Sequence, residues 1–169
     1  RGTLNQLIQS GSQSVLKDKV LDVVVILPFT SNSSQAISSL ETNNFLLELH
    51  QGIAMQVSSL KAKGVAIQLH TFDSKRDLNY LNALVKDPTI LAADVIVGPI
   101  YPEESELISE FAELQKIPFV HPLSNLGDRF EESQFSYLFR PSLNSLAKGV
   151  VESLKSQAWG KTVAIGYSG

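Results

Sequence analysis

Five consecutive apolar residues, Val23-Val24-Val25-Ile26-Leu27, closed by Pro28, constrain this chain more than any other segment. Successive side chains of a strand point to opposite faces. A strand that is apolar at every position must therefore be covered on both sides, as in parallel sheets flanked by helices.

The rest of the sequence supplies the covering helices in alternation with further strands. The spacing of Phe45, Leu49, Ile53, Val57 and Leu60 predicts a helix over about 42–63, one apolar face wide. Gly64 is placed to end it. Val65, Ile67 and Leu69 alternate with polar or small residues and predict a second strand ending near Asp73. Leu78, Leu81, Leu84 and Val85 mark a second helix, with Pro88 as its stop. Asp94-Val95-Ile96-Val97-Gly98 is a third strand, and Pro102 opens a third helix with Leu107, Ile108, Phe111 and Leu114 as its apolar face. Residues 118–121 are a short fourth strand, Tyr137-Leu138-Phe139 a strand or crossover, and residues 142–157 a helix carrying Leu146, Val150 and Leu154. Thr162 to Gly166 closes the chain as a last strand. The predicted architecture is an α/β, doubly wound, parallel, Rossmann-like lobe. Residues 1–19, Ser/Gln-rich with Leu4, Leu7 and Ile8 at helical spacing, read as a leader or linker.

Composition narrows the function classes. Of 169 residues, 43% are hydrophobic and 18% charged, which is a globular balance. The net charge of -3 and the lack of a basic run argue against a nucleic-acid partner. No cysteine is present, which removes disulfides, zinc-thiolate sites and thiol catalysis. No apolar stretch reaches the length of a membrane span. Arg1-Gly2-Thr3 does not open a signal peptide, so the chain is expected to be cytoplasmic or to begin after processing. Its stop just after a strand suggests a fragment.

Motifs for chemistry are missing. Gly160-Lys161-Thr162 has the tail of a phosphate loop, but Lys155 stands where the first glycine is required and a strand follows instead of a helix. Pro28-Phe29-Thr30 replaces the glycine-rich turn of a dinucleotide site, and no nucleophile elbow occurs. The histidines His50, His70 and His121 are far apart, without metal-type neighbours. Glu103 and Glu104 at a helix start are read as complementing the helix dipole. Asn32-Ser33-Ser34 matches a glycosylation sequon within a serine-rich loop. No enzyme activity, cofactor or metal is expected. Ligands of open parallel sheets bind beyond the carboxyl ends of the strands. The candidate site is therefore Phe29 to Ser31, Asp73 to Ser74, Gly98 to Glu103, and Pro122 to Asn125.

From about Val20 onward the chain resembles the type I periplasmic binding protein superfamily, specifically the branched-chain amino acid receptor family of ABC importers. The resemblance rests on six pieces in order: the opening strand to Pro28, the helix from Phe45 through Gly52-Ile53-Ala54, Asp94 to Pro99, Ile117 to Pro122, Tyr137 to Ser142, and Ala158 to Ile165. It implies two α/β lobes that close on a ligand, with residues 20–139 as lobe one and residues 140–169 as the crossover and start of an incomplete second lobe. It further implies an extracytoplasmic, periplasmic setting, a form of lipid anchoring in the full-length protein being compatible with it, a small polar solute such as an amino acid, and a membrane permease or envelope protein as partner.

On that resemblance, Thr30, Tyr101, His121, Ser124 and Asn125 are the candidate ligand-binding residues. The turn Ile100-Tyr101-Pro102-Glu103-Glu104 departs from amino-acid binders, since it offers no hydroxyl before Ser105 and its acids repel a carboxylate. Tyr101 either stacks on a ring or sugar or covers the core. Envelope lipoproteins that activate cell-wall synthases, and sensory ectodomains, share the fold and act by protein contact, so that alternative stays open. An unpaired sheet edge also predicts self-association of this chain.

Overall fold

A computed structural model describes residues 20–29, 38–123, 130, 132–141 and 143–156. In chain order it contains β1 (Leu21–Leu27), α1 (Ser38–Ala62), β2 (Ile67–Asp73), α2 (Leu78–Leu84), α3 (Pro88–Leu91), β3 (Val95–Val97), α4 (Pro102–Gln115), β4 (Phe119–His121), β5 (Ser136–Leu138) and α5 (Leu143–Ser156). The predicted leader at 1–19 and the last strand at 162–166 lie outside the described residues.

The five strands form one sheet in the order β2-β1-β3-β4-β5, and every pair is parallel. β1 is central. It pairs with β2 from Leu21↔Ile67 to Leu27↔Asp73, and with β3 from Val23↔Val95 to Val25↔Val97.

The apolar run of β1 does what its composition requires. Val24 and Ile26 face a layer made by Leu81, Leu84, Ile90, Ile108 and Ala112, from α2, α3 and α4. Val23, Val25 and Leu27 face the other way, onto Leu46 and Val57 of α1. Covering one such side chain contributes about 1.5–3 kcal/mol, so β1 anchors both layers at once.

Four local readings differ from the sequence expectation. In α1 the buried residue at the start of the apolar face is Leu46, at 1% exposure, whereas Phe45 is 41% exposed. Both fit a helical stripe about 100° wide, and contact with β1 selects between them. Val65 lies before β2 and donates its N–H to the Leu60 carbonyl, closing α1. Pro88 starts a helix: Asp87 caps α3 by accepting from the Thr89 N–H at 2.8 Å, and proline at the first position forfeits no helical bond. In α4, Leu114 is 80% exposed, while the small residues Ser105, Ser109 and Ala112 are buried. A close approach of α4 to the sheet explains their size, and the Ser109 hydroxyl meets that of Ser136 in β5 at 2.7 Å. Glu113 of α4 also reaches the segment before β5, accepting from the Ser133 hydroxyl and from the Phe135 N–H at 2.6 Å.

Candidate functional site

The chain leaves β1 for β2 on one side of the sheet and returns to β3 on the other. The strand order therefore reverses between β1 and β3, and the loops beyond their carboxyl ends diverge to open a crevice. Its described residues are Pro28-Phe29 after β1, Asp73 to Arg76 after β2, Gly98 to Tyr101 after β3, and Pro122-Leu123 after β4.

Asp73 ties two of these loops together. One carboxylate oxygen accepts from the Phe29 N–H at 3.0 Å and the Lys75 N–H at 2.9 Å. The Ser74 N–H donates to the Leu27 carbonyl at 3.1 Å. Lys75 and Arg76 follow with φ of 57° and 53°, two successive side-chain-bearing residues in the left-handed region. Such backbone persists where its surroundings hold it, and it clusters at binding sites. His50 of α1 packs edge-on to the Phe29 ring, with centroids 5.7 Å apart, and its Nε2 meets the Thr71 hydroxyl at 2.9 Å. His50 thus bridges Phe29, beyond β1, and Thr71 of β2. His70 is structural, its Nε2 lying 2.8 Å from Asp22.

After β3 the chain turns through Gly98, whose φ is 79°. Tyr101 precedes α4 as its N-cap, with no capping bond from its side chain. Its ring is half-buried, and the Arg76 guanidinium lies over it, 3.9 Å from the ring centroid. Glu104, in the first turn of α4, is only 3% exposed. Neither of its carboxyl oxygens has a hydrogen-bond partner of ordinary geometry. Burial raises its pKa above the ordinary 4.5, against the lowering influence of the nearby Ser74 hydroxyl and Arg76 guanidinium; Glu103 and Asp73 push it up further. The expected dipole role therefore fits the exposed Glu103, while Glu104 turns into the protein.

His121 ends β4 with no exposed surface, its Nδ1 bonded to the Leu123 carbonyl. Nε2 has no partner of ordinary geometry. Burial lowers the pKa below 6.5, opposed by the carbonyls of Leu123 and Ile100. His121 therefore touches the loops after both β3 and β4, from beneath the crevice and not from its surface. Of the five candidate ligand residues, Tyr101 and His121 are described. Thr30, Ser124 and Asn125 lie outside the described residues. Arg76 escapes the sequence reading, two positions past the boundary drawn for its loop, and Glu104 figures in it only as an acid at a helix start and in the turn before it. Among the described residues no group of three or more His, Asp or Glu side chains is arranged to hold a metal.

A five-stranded parallel sheet in this order, flanked by helices, matches the lobe of a type I periplasmic binding protein. The model of the receptor family ligand binding region matches residues 34–169, and the chain belongs to that family. No curated relative matches. Among solved structures, a possible leucine/isoleucine/valine-binding protein from Rhodopirellula baltica shares 14% identity and a TM-score of 0.58, over 83% of this chain and 37% of that one. A branched-chain amino acid transporter substrate-binding protein from Streptococcus pneumoniae, in complex with isoleucine, shares 11% and 0.56, over 73% and 34%. A solute-binding protein of an ABC transporter from R. palustris, in complex with benzoate, shares 15% and 0.54, over 82% and 37%. The chain thus spans well under half the length of these proteins. None of the described helices is long and apolar enough to cross a membrane.

Proposed function

We propose that this chain is the first lobe, with the start of the second, of an extracytoplasmic solute-binding receptor of an ABC-type importer. It binds a small polar solute and carries out no catalysis. The observation behind this reading is the crevice beyond β1 and β3, where Phe29, Asp73, Arg76 and Tyr101 converge from three loops. Solutes of parallel α/β sheets are held at such a point because strand ends leave backbone groups free to meet them. The likeness to receptors for isoleucine and for benzoate supports the solute class. In this reading residues 20–139 form lobe one, the chain from 140 onward enters lobe two, and a membrane permease receives the solute.

Calorimetric titration of a solute library into the full-length protein tests this. Tyr101→Ala and a Ser124→Ala, Asn125→Ala double variant should each weaken a bound solute. The double change should cost on the order of tenfold to a hundredfold, since each neutral hydrogen bond contributes about 1 kcal/mol. An affinity unchanged in both variants rejects these residues as the site. Capture of an envelope protein in place of any solute would instead assign the fold a contact role.

A further inference from the structure

The guanidinium carbon of Arg76 stands over Tyr101, 3.9 Å from the ring centroid, so this aromatic face accepts a cation. Nearby in the first turn of α4 is a carboxyl group, Glu104, that is 3% exposed and has no hydrogen-bond partner of ordinary geometry, although the Ser74 hydroxyl is close enough to act on it. A buried acceptor left unpaired is costly. The Arg76 charge is close enough to influence that carboxyl, yet the two do not hydrogen-bond. The other charges at this corner are Asp73 and Glu103, with Lys75 turned away over the Tyr80 ring at 4.2 Å. Without the guanidinium, the charges that act on Glu104 are those of two further acids, Glu103 and Asp73.

We infer that the Tyr101 face beside Glu104 is a subsite for a cationic group of the solute, a guanidinium or an ammonium, and that Arg76 occupies it as an internal stand-in. The inference rests on the receptor reading and narrows its solute class. An arriving cation takes the ring face. The displaced Arg76 or the cation itself then supplies Glu104 with a charged donor. A carboxylate at the same place would meet Asp73, Glu103 and Glu104 and be repelled.

The test uses the full-length protein and two probes, agmatine, which carries cationic groups and no carboxylate, and glutarate, which carries only carboxylates. The Arg76 Nε–H resonance, assigned by its loss in Arg76→Ala, reports the stack through the ring current of Tyr101. Agmatine should move it, and glutarate should not. Glu104→Gln should weaken agmatine by about tenfold or more, the scale of a charge-assisted hydrogen bond. Arg76→Ala, at an exposed position, should tighten agmatine several-fold by clearing the face. The inference is overturned if millimolar agmatine leaves the Arg76 signal in place, if glutarate moves it instead, or if both variants bind agmatine like the parent. Neutral or anionic solutes bound elsewhere in the crevice would then leave the receptor reading standing. An Arg76 signal moved by agmatine in a protein that binds no neutral or anionic solute of the library would uphold the subsite and restrict the solute class to cations.

Discussion

A β carbon added at Gly98 would stand 2.2 Å from the carbonyl oxygen of Ile26. The turn after β3 is thereby pressed against the central strand at the switch point, and only glycine fits, since φ is 79° as well.

Gly98→Ala should lower stability by at least about 2 kcal/mol, the sum of strain and a backbone clash. Gly64 supplies the control. Its φ is 86°, but nothing lies within 4 Å of an added carbon. Gly64→Ala should cost only about 1 kcal/mol. Urea unfolding with an unchanged slope reads both, and equal midpoints for the two variants would contradict the close approach.

His121 predicts a pH dependence. Its folded-state pKa lies below 6.5 because it is buried, so below that value the unfolded chain binds the proton and the folded one does not. The contribution is complete above 6.5 and is lost as pH falls through 6.5 toward the folded value. The urea midpoint should decline from mildly alkaline to mildly acidic pH, and His121→Asn should flatten the decline. An identical decline in both proteins would assign it to other groups.

Much of the fold is legible in the sequence for one reason: buried positions are specified by polarity, and β1 has no polar position between Val23 and Leu27. The alternation of strands and helices along the chain follows from the same polarity pattern. What polarity cannot resolve is a choice between equivalent neighbours, such as Phe45 and Leu46, or a residue that serves two roles, such as Pro88. The site is less legible because its contacts join residues far apart in the chain. Arg76 over Tyr101 and Asp73 beneath the Phe29 N–H follow from the strand order β2-β1-β3, which no local pattern encodes. Glu104 shows the same limit. A carboxylate in the first turn of a helix has an ordinary explanation, and only the packing reveals that it faces inward.

The edges of the sheet and the last described helix predict self-association. Among the described residues, β2 and β5 are the outer strands, and α5 exposes Leu146, Val150 and Val151 at 50%, 58% and 48%. Apolar surface and open edges both invite a second copy. The 169-residue chain should sediment as a concentration-dependent mixture, and Leu146→Ser with Val150→Ser should shift it toward monomer. A clean monomer at high concentration for the parent chain would count against this.

Glu104→Gln should make the protein more stable at neutral pH. The folded-state pKa is raised above 4.5, chiefly because burial penalises the charged form. A raised acid contributes its stability below the unfolded value and loses it as pH climbs through the folded one. Glutamine has no charge to bury, so its advantage should be absent at acid pH and should grow from 4.5 upward. Urea midpoints of the two proteins across that range give the comparison. Curves that stay parallel would mean that the carboxyl is not desolvated as its surroundings indicate. If they diverge and the variant also loses its hold on agmatine, the two results share one cause. That cause would be the buried carboxyl itself, which costs stability in the unliganded protein and serves the cation when one binds; binding sites are where such local costs are tolerated.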